Sequence, residues 1–167
     1  MRIAISTIAC LVFLAGCTKS PYEPEPEPAD IWHLLLLTEI VSNNDTTYSD
    51  EFGEFDDYVE IYNPQDTAIS LSSFGLTDDP GEPLKYEFPA GFVIESDSLI
   101  IICCDGEPEQ GNLHADFRIS SLGEFIGLFA GNDGVVDSVT VPELEPDEAY
   151  IRIGNEWHIG EPSPGNH

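Results

Sequence analysis

Basic residues are scarce in this sequence, and acidic residues dominate its charge. Lysine and arginine together number 5, whereas aspartate and glutamate number 32, which gives a formal net charge of −27. Nucleic-acid phosphates and anionic lipid headgroups both need basic partners, so nucleic-acid binding and direct adsorption to an anionic membrane surface are disfavoured. Cations, cationic polymers or basic proteins are the favoured partners, although repulsion at a crowded surface explains the charge without a partner.

Long helices and the usual catalytic motifs are also missing. The chain has no extended helical periodicity, no Gly-x-Ser-x-Gly nucleophile motif and no glycine-rich phosphate loop. Its histidines lack the spacing of metal ligands; they are His33, His114, His158 and His167. We therefore predict no catalytic residues, and a small hydrolase built on the acidic residues is the weakest of the possible functions.

Two acids within predicted strands, Glu60 and Asp137, could form a general acid–base pair only if one cleft held both. We favour a structural role for them instead. In this interpretation each carboxylate accepts hydrogen bonds from nearby backbone N–H groups and holds the fold together.

The first residues form a targeting segment. Arg2 precedes a mostly apolar stretch at residues 3–14, which is too short to span a bilayer as a helix. The stretch ends in Leu14-Ala15-Gly16-Cys17, which resembles the lipobox of bacterial lipoproteins, whereas an ordinary signal peptide is the alternative. The resemblance implies that Cys17 is lipidated and becomes the mature N-terminus. In lipoproteins of the Gram-negative type, a residue other than aspartate after the lipidated cysteine implies sorting to the outer membrane, and here that residue is Thr18. Whether the domain faces the periplasm or the outside is left open.

The segment after the lipobox alternates glutamate and proline, a pattern that favours extended polyproline II. At about 3.1 Å per residue this tether would span roughly 40 Å. The sequence thus predicts a signal peptide at residues 1–16, a disordered acidic tether at 17–30 and one folded domain at 31–167.

Cysteine is rare in that domain. Of the four cysteines in the chain, Cys10 and Cys17 belong to the targeting segment, which leaves the adjacent pair Cys103 and Cys104. Neighbouring Cα atoms are about 3.8 Å apart, below the usual disulfide range, so a bond between them would be strained. We predict two buried free thiols that point to opposite faces of a strand.

Short apolar or alternating segments separated by turn residues predict an all-β sandwich or barrel. At residues 58–62, Val59 and Ile61 are expected on one face and the intervening side chains on the other. Asp133-Gly134 lies between two apolar segments and predicts a hairpin with a two-residue turn. The predicted strands span residues 34–41, 58–62, 68–71, 85–88, 98–104, 125–130, 135–141, 150–153 and 157–159.

Several of these segments together resemble the lamin tail domain family. The most informative is residues 56–64, DDYVEIYNP, which is similar to the signature strand of that family. The others are 71–79 (LSSFGLTDD), 86–94 (YEFPAGFVI), 114–120 (HADFRIS), Gly123-Glu124, 134–139 (GVVDSV) and 163–166 (SPGN). The resemblance implies an immunoglobulin-like β-sandwich and a non-catalytic binding or structural module, here attached to the membrane and facing an unidentified envelope protein or cationic ligand.

The acidic loops also suggest an alternative function, a calcium-binding or calcium-stabilised accessory domain. Calcium takes six to eight oxygen ligands from flexible loops. Acids are densest between residues 45 and 57, and a second group occupies residues 78–82. The candidate ligands are Asp56, Asp57, Asp78 and Asp79. The EF-hand spacing is absent, so a solvated acidic loop remains the simpler interpretation.

Overall fold

The computed structural model describes residues 34–132 and 134–166. The predicted signal peptide, Cys17 and the tether lie outside these residues, as does Asp133. No helix in the described part of the chain is long and apolar enough to cross a membrane.

The described residues are organised as β-strands, with one short 3₁₀ helix, η1 (Pro108–Gln110), and no α-helix among them. All nine predicted strands are present with small changes of boundary. The sequence interpretation missed β4, β6 and β8, of which two have only two residues each. The strands are β1 (Leu36–Val41), β2 (Tyr58–Asn63), β3 (Ile69–Ser70), β4 (Phe74–Thr77), β5 (Tyr86–Glu87), β6 (Val93–Ile94), β7 (Ser98–Cys104), β8 (His114–Ala115), β9 (Glu124–Ala130), β10 (Gly134–Val141), β11 (Ala149–Ile153) and β12 (Glu156–Gly160).

Two sheets enclose the main hydrophobic core, which gives the predicted immunoglobulin-like β-sandwich. One sheet has the strand order β12-β11-β1-β2-β7-β8, and the other has the order β10-β9-β4-β5. Leu37 and Val59 from the first sheet share a buried cluster with Leu76 and Leu128 from the second. The pair β3-β6 forms a small third sheet, which adds Ile94 to this core.

The outer face of β1 and β2 is also buried, and this burial creates the sites described below. Val59 and Ile61 point into the main core, as predicted, whereas Tyr58 lies in a second cluster with Val41 and Ala149. The ring of Tyr48, from the loop 42–57, lies 5.4 Å from the ring of Tyr58. This loop and the C-terminal segment 161–166 pack over polar and apolar side chains that would otherwise face solvent.

The hairpin of β9 and β10 is present, but its turn differs from the predicted one. Gly134 pairs with Ala130 as the first residue of β10, so the connection consists of residues 131–133. Gly131, one of the described residues of this connection, has a positive φ of +66°. Gly134 therefore belongs to the strand and not to a two-residue turn.

The two cysteines of the domain are buried free thiols, as predicted. Cys104 lies in the main core, and its neighbour Cys103 points to the opposite face of β7. Burial raises the pKa of the Cys103 thiol to about 12. The thiol therefore stays protonated at neutral pH and is a poor nucleophile.

Candidate functional site

Two glutamates face each other across β1 and β2. The antiparallel register pairs Glu39 with Glu60, and both side chains are buried. They line a pocket of about 160 Å³ together with Arg152 and Ser163. A carboxylate pair in a pocket is the arrangement that acid–base catalysis requires, so the partners of each oxygen decide what the pair can do.

Glu39 accepts hydrogen bonds from three donors. Its oxygens receive the Tyr58 hydroxyl at 2.5 Å, the Ser163 N–H at 2.8 Å and the Ser163 hydroxyl at 2.8 Å. Glu60 accepts the Thr38 hydroxyl at 2.7 Å and the Gly165 N–H at 2.9 Å. The two carboxylates thus hold the C-terminal segment 161–166 onto the sheet, which explains the presence of the SPGN motif.

Asp137 connects the two sheets. From β10 it accepts the N–H of Leu37 in β1 at 2.9 Å and the guanidinium of Arg152 at 2.5 Å. Arg152 in turn donates to the Leu37 carbonyl at 2.8 Å and stacks over Trp157 at 4.9 Å. The β1–β2 register shifts next to Leu37, and the ion pair satisfies both backbone groups of this residue.

These hydrogen bonds confirm the structural interpretation of Glu60 and Asp137. The acid that faces Glu60 is Glu39, which sequence reasoning missed. The sequence did carry a signal for this residue, because Glu39 is the one acid in the mostly apolar segment 34–41. A charged residue in a buried strand is uncommon unless it is paired.

The four residues proposed as calcium ligands have different partners in the structure. Asp78 forms an ion pair with Lys85 at 2.6 Å, and Asp79 accepts the N–H of Gly81 at 2.7 Å within its own turn. Asp57 accepts the N–H of Asn44 at 3.3 Å. Only Asp56 joins a group of acids whose oxygens converge, and its partners are other residues of the loop 42–57.

We call this group the Asp50 cluster; it consists of Asp50, Glu54 and Asp56, with Glu51 and His114 beside it. One oxygen from each of Asp50, Glu54 and Asp56 lies within 4.8 Å of the other two. A second group of ligand atoms at the same spacing contains Asp50, Glu51 and His114. The sequence analysis excluded His114 as a metal ligand, because the histidines lack the spacing of metal ligands. It comes near this loop only through the pairing of β8 with β7.

Hydrogen bonds fix the geometry of the cluster. Asp50 Oδ1 accepts the N–H groups of Phe52 at 2.9 Å and of Glu54 at 2.7 Å, which closes a tight turn around its own side chain. Gln110, from η1, donates its amide to Glu54 at 2.9 Å. His114 is fully buried, and its Nδ1 lies 2.5 Å from Asp105.

The electrostatics of the cluster follow from burial and from the crowding of like charges. Burial raises the pKa of Asp56, and the charges of Asp105, Asp50 and Glu54 raise it further. Burial lowers the pKa of His114, but the hydrogen bond to Asp105 and the nearby Glu51 outweigh it, so the net shift is upward. The site as a whole favours a positive charge.

A comparison with protein-family models now identifies the fold. The model described as Lamin Tail Domain matches residues 34–143. The chain belongs to the lamin tail domain family. The match ends before β11, so the hairpin β11–β12 and the C-terminal segment lie beyond the matched part of the lamin tail domain. Neither curated proteins nor solved structures give a significant match to the chain.

Membership of the lamin tail domain family supports an immunoglobulin-like binding or structural module, since the family is non-enzymatic. The strand acids Glu39, Glu60 and Asp137 are bonded to backbone and side-chain donors, as their structural role requires.

Asp57→Asn is expected to stabilise the lamin tail domain at neutral pH. Burial raises the pKa of Asp57 from 3.8 to about 6, although the hydrogen bond from the Asn44 N–H lowers it in part. Between these values the folded state keeps a proton that the unfolded state has lost, so stability falls as the pH rises through this window. The penalty grows as the pH rises from about 4 through about 6 and levels off about one pH unit higher. Because solvent screens this partly exposed carboxylate, the penalty stays below about 3 kcal/mol.

Denaturant unfolding from pH 4 to 8 with a chelator present measures this effect. The stability difference between Asp57→Asn and the wild type should be near zero at the acidic end and should reach a plateau above pH 6. Asp66→Asn, which removes an exposed acid, controls for the change of net charge. Parallel pH curves for Asp57→Asn and the wild type would contradict the expectation.

Proposed function

We propose that the protein is a lipid-anchored, non-catalytic binding module of the bacterial cell envelope, in which a tether holds a lamin tail domain away from the membrane. The lipobox-like Leu14-Ala15-Gly16-Cys17 supports the anchor, and Thr18 supports the outer membrane. The Glu-Pro alternation of residues 17–30 supports an extended spacer. A lipoprotein carries more than one acyl chain, which is what stable anchoring requires.

The observation that carries the non-catalytic part of the proposal is the bonding of the Glu39–Glu60 pair. A general base must lie within hydrogen-bond reach of the substrate proton that it takes. Here the Glu39 oxygens accept the Tyr58 hydroxyl and the Ser163 N–H, and Glu60 accepts from Thr38 and Gly165. This buried carboxylate pair therefore supports the fold, and we place the binding function on the surface of the domain.

The proposed partner is a basic protein or another cationic ligand of the envelope. The formal charge of −27 favours such partners by long-range attraction and disfavours nucleic acid. Exposed acids occur in several loops, for example Glu51, Glu82 and Glu109. Crosslinking in intact cells, followed by capture of the protein, would identify the partner, and its retention should weaken as salt increases.

Cys17→Ser tests the anchor. The wild-type protein should incorporate a clickable fatty acid and sediment with outer-membrane vesicles on a density gradient. The variant should accumulate as an unlabelled precursor that retains its signal peptide. A Cys17→Ser protein that is still acylated and of mature size would refute the anchor.

A substrate screen tests the absence of catalysis. The purified protein should turn over no ester, phosphoester, glycoside or peptide substrate. Turnover that survives repurification and is lost in Glu60→Gln would overturn the binding-module proposal. A folded Glu60→Gln, shown by unchanged circular dichroism, is needed for that conclusion.

A further inference from the structure

We propose that the Asp50 cluster is a calcium site, in which carboxylate oxygens of Asp50, Glu54 and Asp56 ligate the ion. The inference is independent of the proposed function and of the lipid anchor. It replaces three of the four ligands suggested by the sequence, because Asp57, Asp78 and Asp79 lie outside the converging group.

The first argument is the convergence of the oxygens. A cation bound by three carboxylates needs one oxygen from each at 2.3–2.6 Å from a common point, so the oxygens must lie within about 5 Å of one another. Asp50, Glu54 and Asp56 meet this condition, since their ligand oxygens are all within 4.8 Å. Their turn is already closed by the two N–H groups that Asp50 Oδ1 accepts, so it is shaped before any ion binds.

The second argument is an accumulation of buried polar atoms without partners. Buried polar groups are normally hydrogen-bonded, and an unpaired carboxylate oxygen is costly to bury. In the described residues, the buried side-chain atoms that lack a hydrogen bond are Ser42 Oγ, Asp50 Oδ2, Asp56 Oδ2, Gln110 Oε1 and His114 Nε2. Asp50 Oδ2, Asp56 Oδ2 and Gln110 Oε1 belong to the Asp50 cluster or to a side chain adjoining it, whereas His114 Nε2 has Glu51 at 3.5 Å as an ion-pair partner.

Asp50 is the central member of this group. The residue is only 8% exposed. Its Oδ1 accepts two backbone N–H groups, whereas its Oδ2 has no hydrogen-bond donor. The adjoining acids Glu54 and Asp56 repel this oxygen when ionised. A bound cation would supply the missing partner for Oδ2 and would remove the repulsion among the three carboxylates.

The chemistry of the ligands favours calcium over other divalent ions. The set is all oxygen and lies on an irregular loop, which suits the flexible coordination of calcium better than the strict octahedron of magnesium. Gln110 Oε1 adds an unpaired amide oxygen beside Glu54. The competing set, Asp50, Glu51 and His114, contains an imidazole and would suit zinc. Glu51 is exposed, however, and lies 3.5 Å from His114 Nε2 as an ion-pair partner.

Titration of the full-length protein, purified in detergent and stripped of metal, tests the site. Calcium should bind with one site per chain in calorimetry. At matched ionic strength it should raise the melting temperature more than magnesium does, because simple screening of a charge of −27 is the same for both. Asp50→Asn and Asp56→Asn should each weaken calcium binding roughly tenfold or more.

Matched controls separate ligation from the loss of charge and from misfolding. Asp79→Asn removes the same charge outside the cluster and should leave the calcium affinity unchanged. Asp50→Asn keeps an oxygen for the backbone donors, and Asp56→Asn serves as the second variant if the first fails to fold. Equal effects of calcium and magnesium, or equal calcium affinity in Asp56→Asn and the wild type, would overturn the proposal. Zinc binding that is lost in His114→Asn, without calcium binding, would replace it with the histidine-containing site.

Discussion

Asp137→Ala is expected to lower the free energy of unfolding by about 3–5 kcal/mol, the range for breaking a buried ion pair by removing one partner. Asp137 and Arg152 are each only 9% exposed at the side chain, so solvent cannot replace the lost contacts. The variant leaves the Leu37 N–H without an acceptor and the Arg152 guanidinium without a counter-charge. Both consequences fall where the two sheets are joined, so the sandwich as a whole should be destabilised.

Urea denaturation of the purified protein, followed by tryptophan fluorescence, measures the effect. Thr140→Ala, at an exposed position on the same strand, is the matched control and should change stability by less than about 0.5 kcal/mol. Arg152→Met should also be destabilising, and the double variant should lose far less than the sum of the two single losses. Additive losses would show that the two residues act independently and would contradict a stabilising ion pair between Asp137 and Arg152.

Gly123→Ala is expected to cost several kcal/mol, more than the conformation of the backbone alone explains. Gly123 has φ +91°, and a Cβ placed there would lie 2.6 Å from the Val141 carbonyl oxygen and 2.8 Å from the Pro142 carbonyl carbon. These neighbours are backbone atoms and cannot rotate away as a side chain would. The turn before β9 must therefore move away from the end of β10, and the hydrogen bond from Leu144 N–H to the Ser121 carbonyl should weaken.

Gly131→Ala provides the control for this prediction. Gly131 also has a positive φ, +66°, but a Cβ there would meet nothing within 4 Å. Its substitution should cost only the strain of the left-handed backbone, about 1–2 kcal/mol. The excess cost of Gly123→Ala over Gly131→Ala measures the steric clash. Equal losses in the two variants would mean that the turn before β9 relaxes freely.

The agreement between sequence and structure is best where the pattern is local. Residues 58–62 alternate, and Val59 and Ile61 do enter the core. The free thiols of Cys103 and Cys104 followed from the short distance between neighbouring Cα atoms. The missed strands β6 and β8 are two residues long and carry no readable period, because pairing with a neighbour defines them.

The candidate sites were harder to predict, because strand pairing and loop conformation decide which side chains converge. Asp78 and Asp79 were proposed from the local density of acids. In the structure, Asp78 forms an ion pair with Lys85, and Asp79 accepts the N–H of Gly81. The three acids of the Asp50 cluster come from the single loop 42–57, and only the adjoining Gln110 and His114 are brought in by η1 and β8. Density of acids indicates where charge accumulates, whereas convergence of oxygens depends on the path of the backbone.

The sequence by itself determined the all-β character and the positions of the longer strands, because alternation and turn chemistry act over a few residues. Its motifs resemble those of the lamin tail domain family, to which the match over residues 34–143 assigns the chain. It also carries the lipobox and the tether, which remain predictions. Only the tertiary structure decided that Glu39 faces Glu60, that Asp137 meets Arg152 and that His114 adjoins Asp50. These contacts depend on strand register and loop packing, which the whole hydrophobic core sets cooperatively and no single segment encodes.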